Sequence, residues 1–422
     1  MTTAKSLSTL TQDSDYDPNA MPVTKAREYI RAHLEPVTGS ERLYIRAALG
    51  RILAEDVISS VNVPAHDNSA MDGYAFRHAD LGAQGETTLD VVGTSFAGRP
   101  FEGSVSAGQA VRIMTGGVMP VGADTVIMQE RVTTAAGRVA IPAGQQKGQN
   151  VRSTGGDIRK GGVVFPRGQL MRPAEVGMLA SLGIGEISVY RKLRVAFFST
   201  GDELIGVGQA LRPGQIYDSN RYTIHAMLTR LGINAIDMGV VGDDPALIRQ
   251  AFSEASSIAD VVITSGGVSV GEADFVKQIL NELGEVLFWK IAMKPGRPMA
   301  VGKVGGAYFF GLPGNPVAVT VTFYQFVRAA LATLQGRTDY ALPPTCKATL
   351  TNKVKKMPGR TEFQRGILTM GANGYEVRTT GDQGSGILSS MVQANCFVVL
   401  STETGNVEPG TVVDVQMFEG VM

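Results

Sequence analysis

The stretch Val261 to Asp274, VVITSGGVSVGEAD, constrains this chain more than any other. Val261, Val262 and Ile263 form a short apolar run that ends at Thr264, Ser265, Gly266 and Gly267. A run of that kind bounded by glycines reads as a buried parallel strand. Beyond a loop, Val276, Ile279, Leu280 and Leu283 recur at helical spacing, with Gly284 as the expected stop. A glycine pair and two acids, Glu272 and Asp274, therefore sit between a strand end and a helix start. In open α/β sheets that edge is where ligands bind. Glycine lets backbone approach a ligand closely, and a helix N-terminus favours an anion. Taken alone, Gly266-Gly267 is equally compatible with a tight turn.

The same strand–loop–helix alternation repeats on either side. Val195 to Phe198 runs into Ser199-Thr200-Gly201-Asp202-Glu203, and a helical face follows at Ile224, Met227, Leu228 and Leu231, ended by Gly232. Ala235 to Val241 runs into Asp243-Asp244-Pro245, where proline suits a first helical turn. The next apolar face is Ile248, Ala251, Phe252 and Ala255. Val286 to Ile291 leads to Lys294-Pro295-Gly296-Arg297-Pro298, and Tyr308 to Phe310 leads to Gly311-Leu312-Pro313-Gly314-Asn315-Pro316. Asn315 is placed to cap the last helix, with Pro316 at its first position. Alternating strands and helices predict a mostly parallel sheet covered on both faces. Glu203, Asp243 and Asp274 then share the carboxyl edge of that sheet with Lys290 and Lys294.

The remaining segments read differently. Residues 1–20 are polar and read as a disordered tail; residues 21–38 carry a helix with Ala26, Tyr29, Ile30, His33 and Leu34 on one face. His33 on an apolar face reads as a packed histidine rather than a ligand. Residues 39–60 and 158–192 form a small linking domain, interrupted by a β-rich insert at 61–157. Within the insert, Asp72 and Thr115 each stand directly before glycine at a turn, and Asp-Gly is also ordinary turn chemistry. Residues 341–422 return to period-two alternation, at Cys346, Ala348 and Leu350 and at Val413, Val415 and Met417, as a small barrel or sandwich. Its notable polar groups are Arg360, Arg365 and Ser385. The expected fold is thus multidomain α/β plus β: a central α/β domain over 21–38 and 193–340, the β-rich insert, the linking domain and a C-terminal β-barrel.

Composition narrows the function classes. Lys plus Arg and Asp plus Glu both total 39, so no net charge drives binding to nucleic acid or to an acidic membrane. No run of about 20 apolar residues stands out, so no membrane span is expected. The two cysteines, Cys346 and Cys396, have no metal-ligand spacing, and the four histidines form no cluster. A cytoplasmic location follows as an expectation. No Ser-His-Asp or Cys-His arrangement is apparent, so no protein nucleophile is expected. Carboxylates sharing an edge repel unless they hold a hard cation such as Mg²⁺, and lysines there attract anions. The residues by themselves lead to a phosphorylated ligand plus metal on an α/β edge.

The segments Asn68–Ala75, Arg112–Gly117, Ser199–Leu204, Ser265–Asp274, Lys294–Pro298 and Leu312–Pro316 resemble the motifs of the molybdopterin molybdenumtransferase family, to which the gephyrin E domain belongs. The resemblance spans about residues 21 to 420. It implies a homodimer with shared active sites that inserts molybdate into adenylylated molybdopterin, with Mg²⁺-dependent release of AMP, and contact with the molybdopterin adenylyltransferase. By position it assigns Glu203, Asp243, Asp274, Lys290, Lys294, Asp72 and Thr115 to catalysis, the first three of them to the metal. It assigns Asp157, Ser265, Gly266, Gly267, Arg297, Pro313, Asn315, Pro316, Arg365 and Ser385 to substrate binding. Arg297 departs from the pattern, because lysine is the more usual residue there; charge is kept while anion geometry changes. The substrate's dithiolene sulfurs, not protein cysteines, would receive molybdenum. Two other readings stand beside this one: a non-catalytic cofactor carrier or scaffold, and the preceding adenylyltransferase.

Overall fold

The computed structural model describes residues 17–267, 274–338 and 344–418, with side chains for all of these except Asp274 and Phe275. Its central sheet has six strands: β1 (Arg194–Thr200), β2 (Asn234–Val241), β3 (Val261–Ser265), β4 (Gly284–Lys290), β5 (Pro298–Val304) and β6 (Ala307–Leu312). They lie in the order β2-β1-β3-β6-β5-β4. β1 pairs in parallel with β2 and β3, and β3 with β6. β5 runs against both β6 and β4. The sheet is therefore mostly parallel, and β4 points the same way as β1.

The alternation along β1 decides which helix goes where. Val195 and Phe197 face one side and pack with α1 (Ser219–Arg230), α4 (Pro316–Leu334) and the N-terminal helix Val23–His33. Ala196 and Phe198 face the other side and pack with α2 (Pro245–Ile258) and α3 (Asp274–Leu283). Phe252 of α2 contacts Phe198 and Phe309 edge to face, with ring centroids 5.2 and 5.5 Å apart. The four buried residues of α2 are Ile248, Ala251, Phe252 and Ala255, the face its spacing predicts. Asp244 caps it by accepting from the amides of Ala246 and Leu247, with Pro245 in the first turn. His33 is 7% exposed and packs edge-on to Tyr308, as a core histidine does.

α3 ends at Leu283, directly before Gly284 as expected, and Gly284 also opens β4, where a side chain would stand 2.0 Å from the Lys303 carbonyl oxygen of β5. Three local expectations change. β5 itself was not anticipated from Pro298 to Val304, because its interior Gly302 weakens the strand signal; that glycine is required by the Glu285 carbonyl 2.1 Å from where a Cβ would be. Residues 17–20, read from the sequence as part of a disordered tail, pack against the domain, where the Pro18 carbonyl accepts from the Lys290 amide. And α4, 19 residues long, is apolar enough to cross a membrane by length and hydropathy alone. It is 78% buried within the protein, as the core helix between sheet and barrel.

Around this domain, Ser40–Tyr44 pairs with Glu186–Tyr190, and Val57–Ile58 with Val163–Phe165, so the chain before the β-rich insert is stitched to the chain after it. The insert forms a six-stranded sheet of its own. Near the C-terminus, strands Thr345–Leu350, Thr361–Gly371, Gly374–Thr379, Cys396–Leu400 and Val412–Met417 close into a barrel through the pairing of Thr361–Gly371 with Cys396–Leu400. The barrel docks on α4: Gln325 donates to Gln416 at 2.7 Å, and Tyr324 packs on Phe397 and Phe418.

Candidate functional site

The carboxyl edge of the sheet has two chemically distinct ends. At the β2-β1-β3 end, Glu203 follows β1, Asp243 follows β2, and Asp274 opens α3 after β3. Adjacent strand ends thus bring the three acids to one region of the edge. Asp202 joins them: its carboxylate accepts from the Asp243 amide at 3.0 Å and ties the two loops together. Glu203 folds back over Gly201, its carboxylate oxygen 2.4 Å from where a Gly201 side chain would begin. Glu272 lies outside the described residues, as does the side chain of Asp274. Among the described residues no group of three or more His, Cys, Asp or Glu side chains converges on a metal position. The donor chemistry does fit Mg²⁺, which takes one or two carboxylates and completes its shell with water and substrate phosphate.

The glycine pair serves packing as much as ligand access. Gly266 and Gly267 have φ of +91° and +69°, and a side chain on Gly266 would lie 2.7 Å from the Thr200 carbonyl oxygen. The Gly266 amide donates to the Leu312 carbonyl, so it is not available to a phosphate. Ser265 is buried; its hydroxyl accepts from Asn220 at 2.8 Å, and the same amide nitrogen reaches the Gly314 carbonyl at 2.6 Å. Asn220, at the start of α1, thereby binds the loops after β3 and β6 to each other.

At the β6-β5-β4 end lies a cleft of about 290 Å³. Its walls include Lys294, Pro295, Gly296 and Arg297 from the loop after β4, and Pro313, Gly314 and Asn315 from the loop after β6. Arg360, Gln383, Gly384 and Ser385 of the barrel complete it. The barrel is fixed here because the two-residue strand Met293–Lys294 pairs in parallel with Thr361 and Glu362. The Ser385 carbonyl accepts the amide of Val317 in the first turn of α4. Asn315 occupies the N-cap position of α4, but its side chain makes no capping hydrogen bond.

Some expected site residues lie elsewhere. Arg365 is 0% exposed: its guanidinium donates to the Ser390 hydroxyl and to the carbonyls of Asp382 and Gly384. It holds the loop that carries Ser385 from beneath instead of lining the cleft. Burial pushes its pKa down to about 10. Lys290 ends β4, pairs with Pro298 and does not line the cleft. Pro316 forms the first turn of α4 behind it. At ~4.8 Å per strand the end of β4 lies about 24 Å from that of β2 and about 14 Å from that of β3, so the acids and the cations occupy two ends of one edge that meet at the β3–β6 pair.

In the β-rich insert, Asp72 and Thr115 do meet. One carboxylate oxygen of Asp72 accepts from the Thr115 amide at 2.7 Å and its hydroxyl at 2.8 Å. These bonds hold the exposed Asp72 carboxyl below the ordinary carboxylate range. Asp67 and Thr154 repeat the arrangement, so the motif alone does not mark a site. Asp157 is exposed on the turn beside Thr154, its amide bonded to the Val63 carbonyl. Sequence reasoning gave no role to Asn220, Asp202 or Gln383. The only signal for the first two was position: each directly follows or precedes a singled-out strand end or helix start.

Comparison with known proteins gives matches along nearly the whole chain. Residues 21–183 match the family model of the MoeA N-terminal region (domains I and II), 196–333 a probable molybdopterin binding domain, and 347–418 the MoeA C-terminal region (domain IV). A molybdopterin molybdenumtransferase of Haemophilus influenzae is 48% identical, over 95% of this chain and 100% of that protein. One from Nostoc is 38% identical over 87% of this chain and 86% of that protein. The crystal structure of a molybdopterin biosynthesis MoeA protein from Pyrococcus horikoshii superposes with a TM-score of 0.82 at 29% identity, covering 95% of this chain and 100% of that one. With its domains matched in order and a relative of that identity covered end to end, the chain belongs to the MoeA family of molybdopterin molybdenumtransferases, enzymes of molybdenum cofactor biosynthesis.

Proposed function

We propose that this chain inserts molybdate into adenylylated molybdopterin and releases AMP in a Mg²⁺-dependent step. The observation that carries the reading is the bipolar edge, with Glu203, Asp243 and Asp274 after the strands at one end and the Lys294, Arg297 and Arg360 cleft at the other. A dianion needs compensating charge, and the cleft supplies three cationic side chains. A substrate with a phosphoanhydride at one end and a metal-accepting dithiolene at the other fits two poles better than one. Asp243 with Asp274 and Glu203 would hold Mg²⁺, whose charge stabilises the departing phosphate. Arg297 and Arg360 present planar forks that suit a tetrahedral oxyanion. In this reading the dithiolene sulfurs replace oxygens of molybdate in the cleft, the displaced oxygens leaving with the thiol protons as water, and a water molecule cleaves the phosphoanhydride at the acidic pole to give AMP and the phosphate of molybdopterin.

The same reading makes the protein a cytoplasmic homodimer that meets the adenylyltransferase supplying its substrate. Each site takes Glu203, Asp243, Asp274 and the lysines from one subunit, and Asp72, Thr115 and Asp157 from the other. In support, Asp72 is bonded to partners within its own domain and keeps one carboxylate oxygen outside those bonds. The test is AMP release from adenylylated molybdopterin, with and without molybdate and Mg²⁺. Release that needs both is the expected result. Release indifferent to molybdate overturns insertion, and ATP consumption without molybdate would mark an adenylyltransferase instead.

A further inference from the structure

Behind the cleft lies a buried carboxylate that the proposed chemistry does not use. Glu362 is 4% exposed, inside the barrel strand that pairs with Met293–Lys294. One of its oxygens lies 3.7 Å from the Lys294 ammonium, whose own side chain is half exposed in the cleft. The other oxygen accepts from Gln364, 5% exposed, at 2.8 Å. A buried lysine, Lys356, stands on the same side, with its ammonium donating to the carbonyls of Thr404 and Met357. Burial pushes the Lys356 ammonium below the ordinary lysine value, and the field of Glu362 pulls it back up. Arg360, two residues before Glu362, lines the cleft. One carboxylate with a fixed hydrogen bond is therefore set among three cations, two of which also face the cleft.

We propose that Glu362 is a positioning residue that holds Lys294 from the barrel side and competes with the bound oxyanion for its charge. The inference rests on the reading of the cleft as the molybdate site and deepens it. The physical argument is one of shared charge. Lys294 is the arm of one domain and Glu362 belongs to another, so the ammonium is placed by the docking of the barrel, not by its own flexible stem. An ammonium already paired has less attraction left for an incoming dianion, which keeps binding weak enough for the anion to be passed on. Gln364 fixes the carboxylate so that it cannot follow the lysine into the cleft. A buried acid serving only to hold the barrel together would have no effect on anion affinity.

The experiment is calorimetric titration of sodium molybdate, and separately sodium sulfate, into the full-length protein and its variants. Glu362→Gln keeps shape and acceptor but removes the charge. Roughly fivefold tighter binding of both dianions is expected, the scale of one partly exposed ion pair. In a Lys294→Gln background the same substitution should change affinity by less than about twofold, because its effect passes through that lysine. Unchanged or weaker binding in a folded Glu362→Gln protein overturns the proposal, as does tightening that persists without Lys294. If Glu362→Gln does not fold, Glu362→Asp draws the charge back by one methylene and should tighten binding by a smaller factor; no tightening there also overturns it. Wild-type protein that takes up no molybdate removes the cleft reading and this inference together. Wild-type binding with no response to Glu362 removes the inference alone.

Discussion

At the β1–β2 end of the sheet edge, Asp202, Glu203 and Asp243 are exposed side chains on loops of a single domain, while at the β5–β6 end Lys294 leans on a buried acid from a different domain. Among the described residues, the acidic pole is tied together by the Asp243 amide donating to Asp202 and the Gly201 amide donating to the Val241 carbonyl. The cationic pole is braced by a strand pairing, a buried carboxylate, and a barrel loop held from below by Arg365. The difference teaches where preorganisation is needed. Carboxylates around a hydrated Mg²⁺ tolerate adjustment, because water and phosphate complete the shell. Cations that must discriminate among oxyanions gain by being held in place.

The strongest break of this comparison comes at the acidic pole. Asp274→Asn removes a charge at the start of α3, and AMP release should fall by about 100-fold or more with the fold retained. Release near the wild-type rate from a folded Asp274→Asn protein would take the metal away from that residue. At the cationic pole the expected loss is smaller and of another kind. Lys294→Gln should raise the molybdate concentration for half-maximal AMP release by about tenfold, with a lesser effect at saturation. Lys290, outside the cleft wall, should shift it by only about twofold when changed to glutamine, through a screened field. Equal responses of the two lysines would erase the distinction between a cleft residue and its neighbour.

The unequal legibility of the two poles in the sequence has the same origin. Glu203 and Asp243 were readable because each follows its strand within three residues, and the helix face of α2 was readable from its period. Nothing local reveals that Glu362 and Lys294, 68 positions apart in the numbering, meet through strand pairing. Arg360 was visible as a notable charge and Arg365 as a site candidate, yet only the closed barrel turns one towards the cleft and buries the other. Gly284 reads in the sequence as a helix stop and Gly302 gives no signal; the demand on both comes from carbonyls across the sheet, which no single-strand pattern encodes.

A third measurement concerns assembly, which bears on whether the acidic pole is completed from outside its own chain. Asp72→Ala and Asp274→Asn, each inactive alone, are unfolded and refolded together. Random pairing gives about half heterodimers, and shared sites would give each of these one intact site, so roughly a quarter of wild-type AMP release should return. Sites built within one chain leave every site with a lesion, and no activity returns. Recovery would mean that the acidic pole, too, is finished by another domain, one supplied by the second subunit.

The smallest effect sharpens the comparison within two adjacent residues. Asp243 and Asp244 follow the same strand, yet Asp244 accepts the amides of Ala246 and Leu247 as the cap of α2, while the Asp243 amide is held by Asp202. Asp244→Ala removes the cap of a helix that buries Phe252 against the sheet. Loss of an aspartate cap costs about 1 kcal/mol, or roughly 2–4 °C in the melting of a domain of this size. AMP release at 25 °C should stay within about twofold of wild type, since the cap does not face substrate. Asp243→Asn should instead reduce turnover strongly. Should Asp244→Ala abolish turnover without lowering the melting temperature, the two aspartates would have exchanged roles. The metal would then be sought at the helix cap instead of the loop before it.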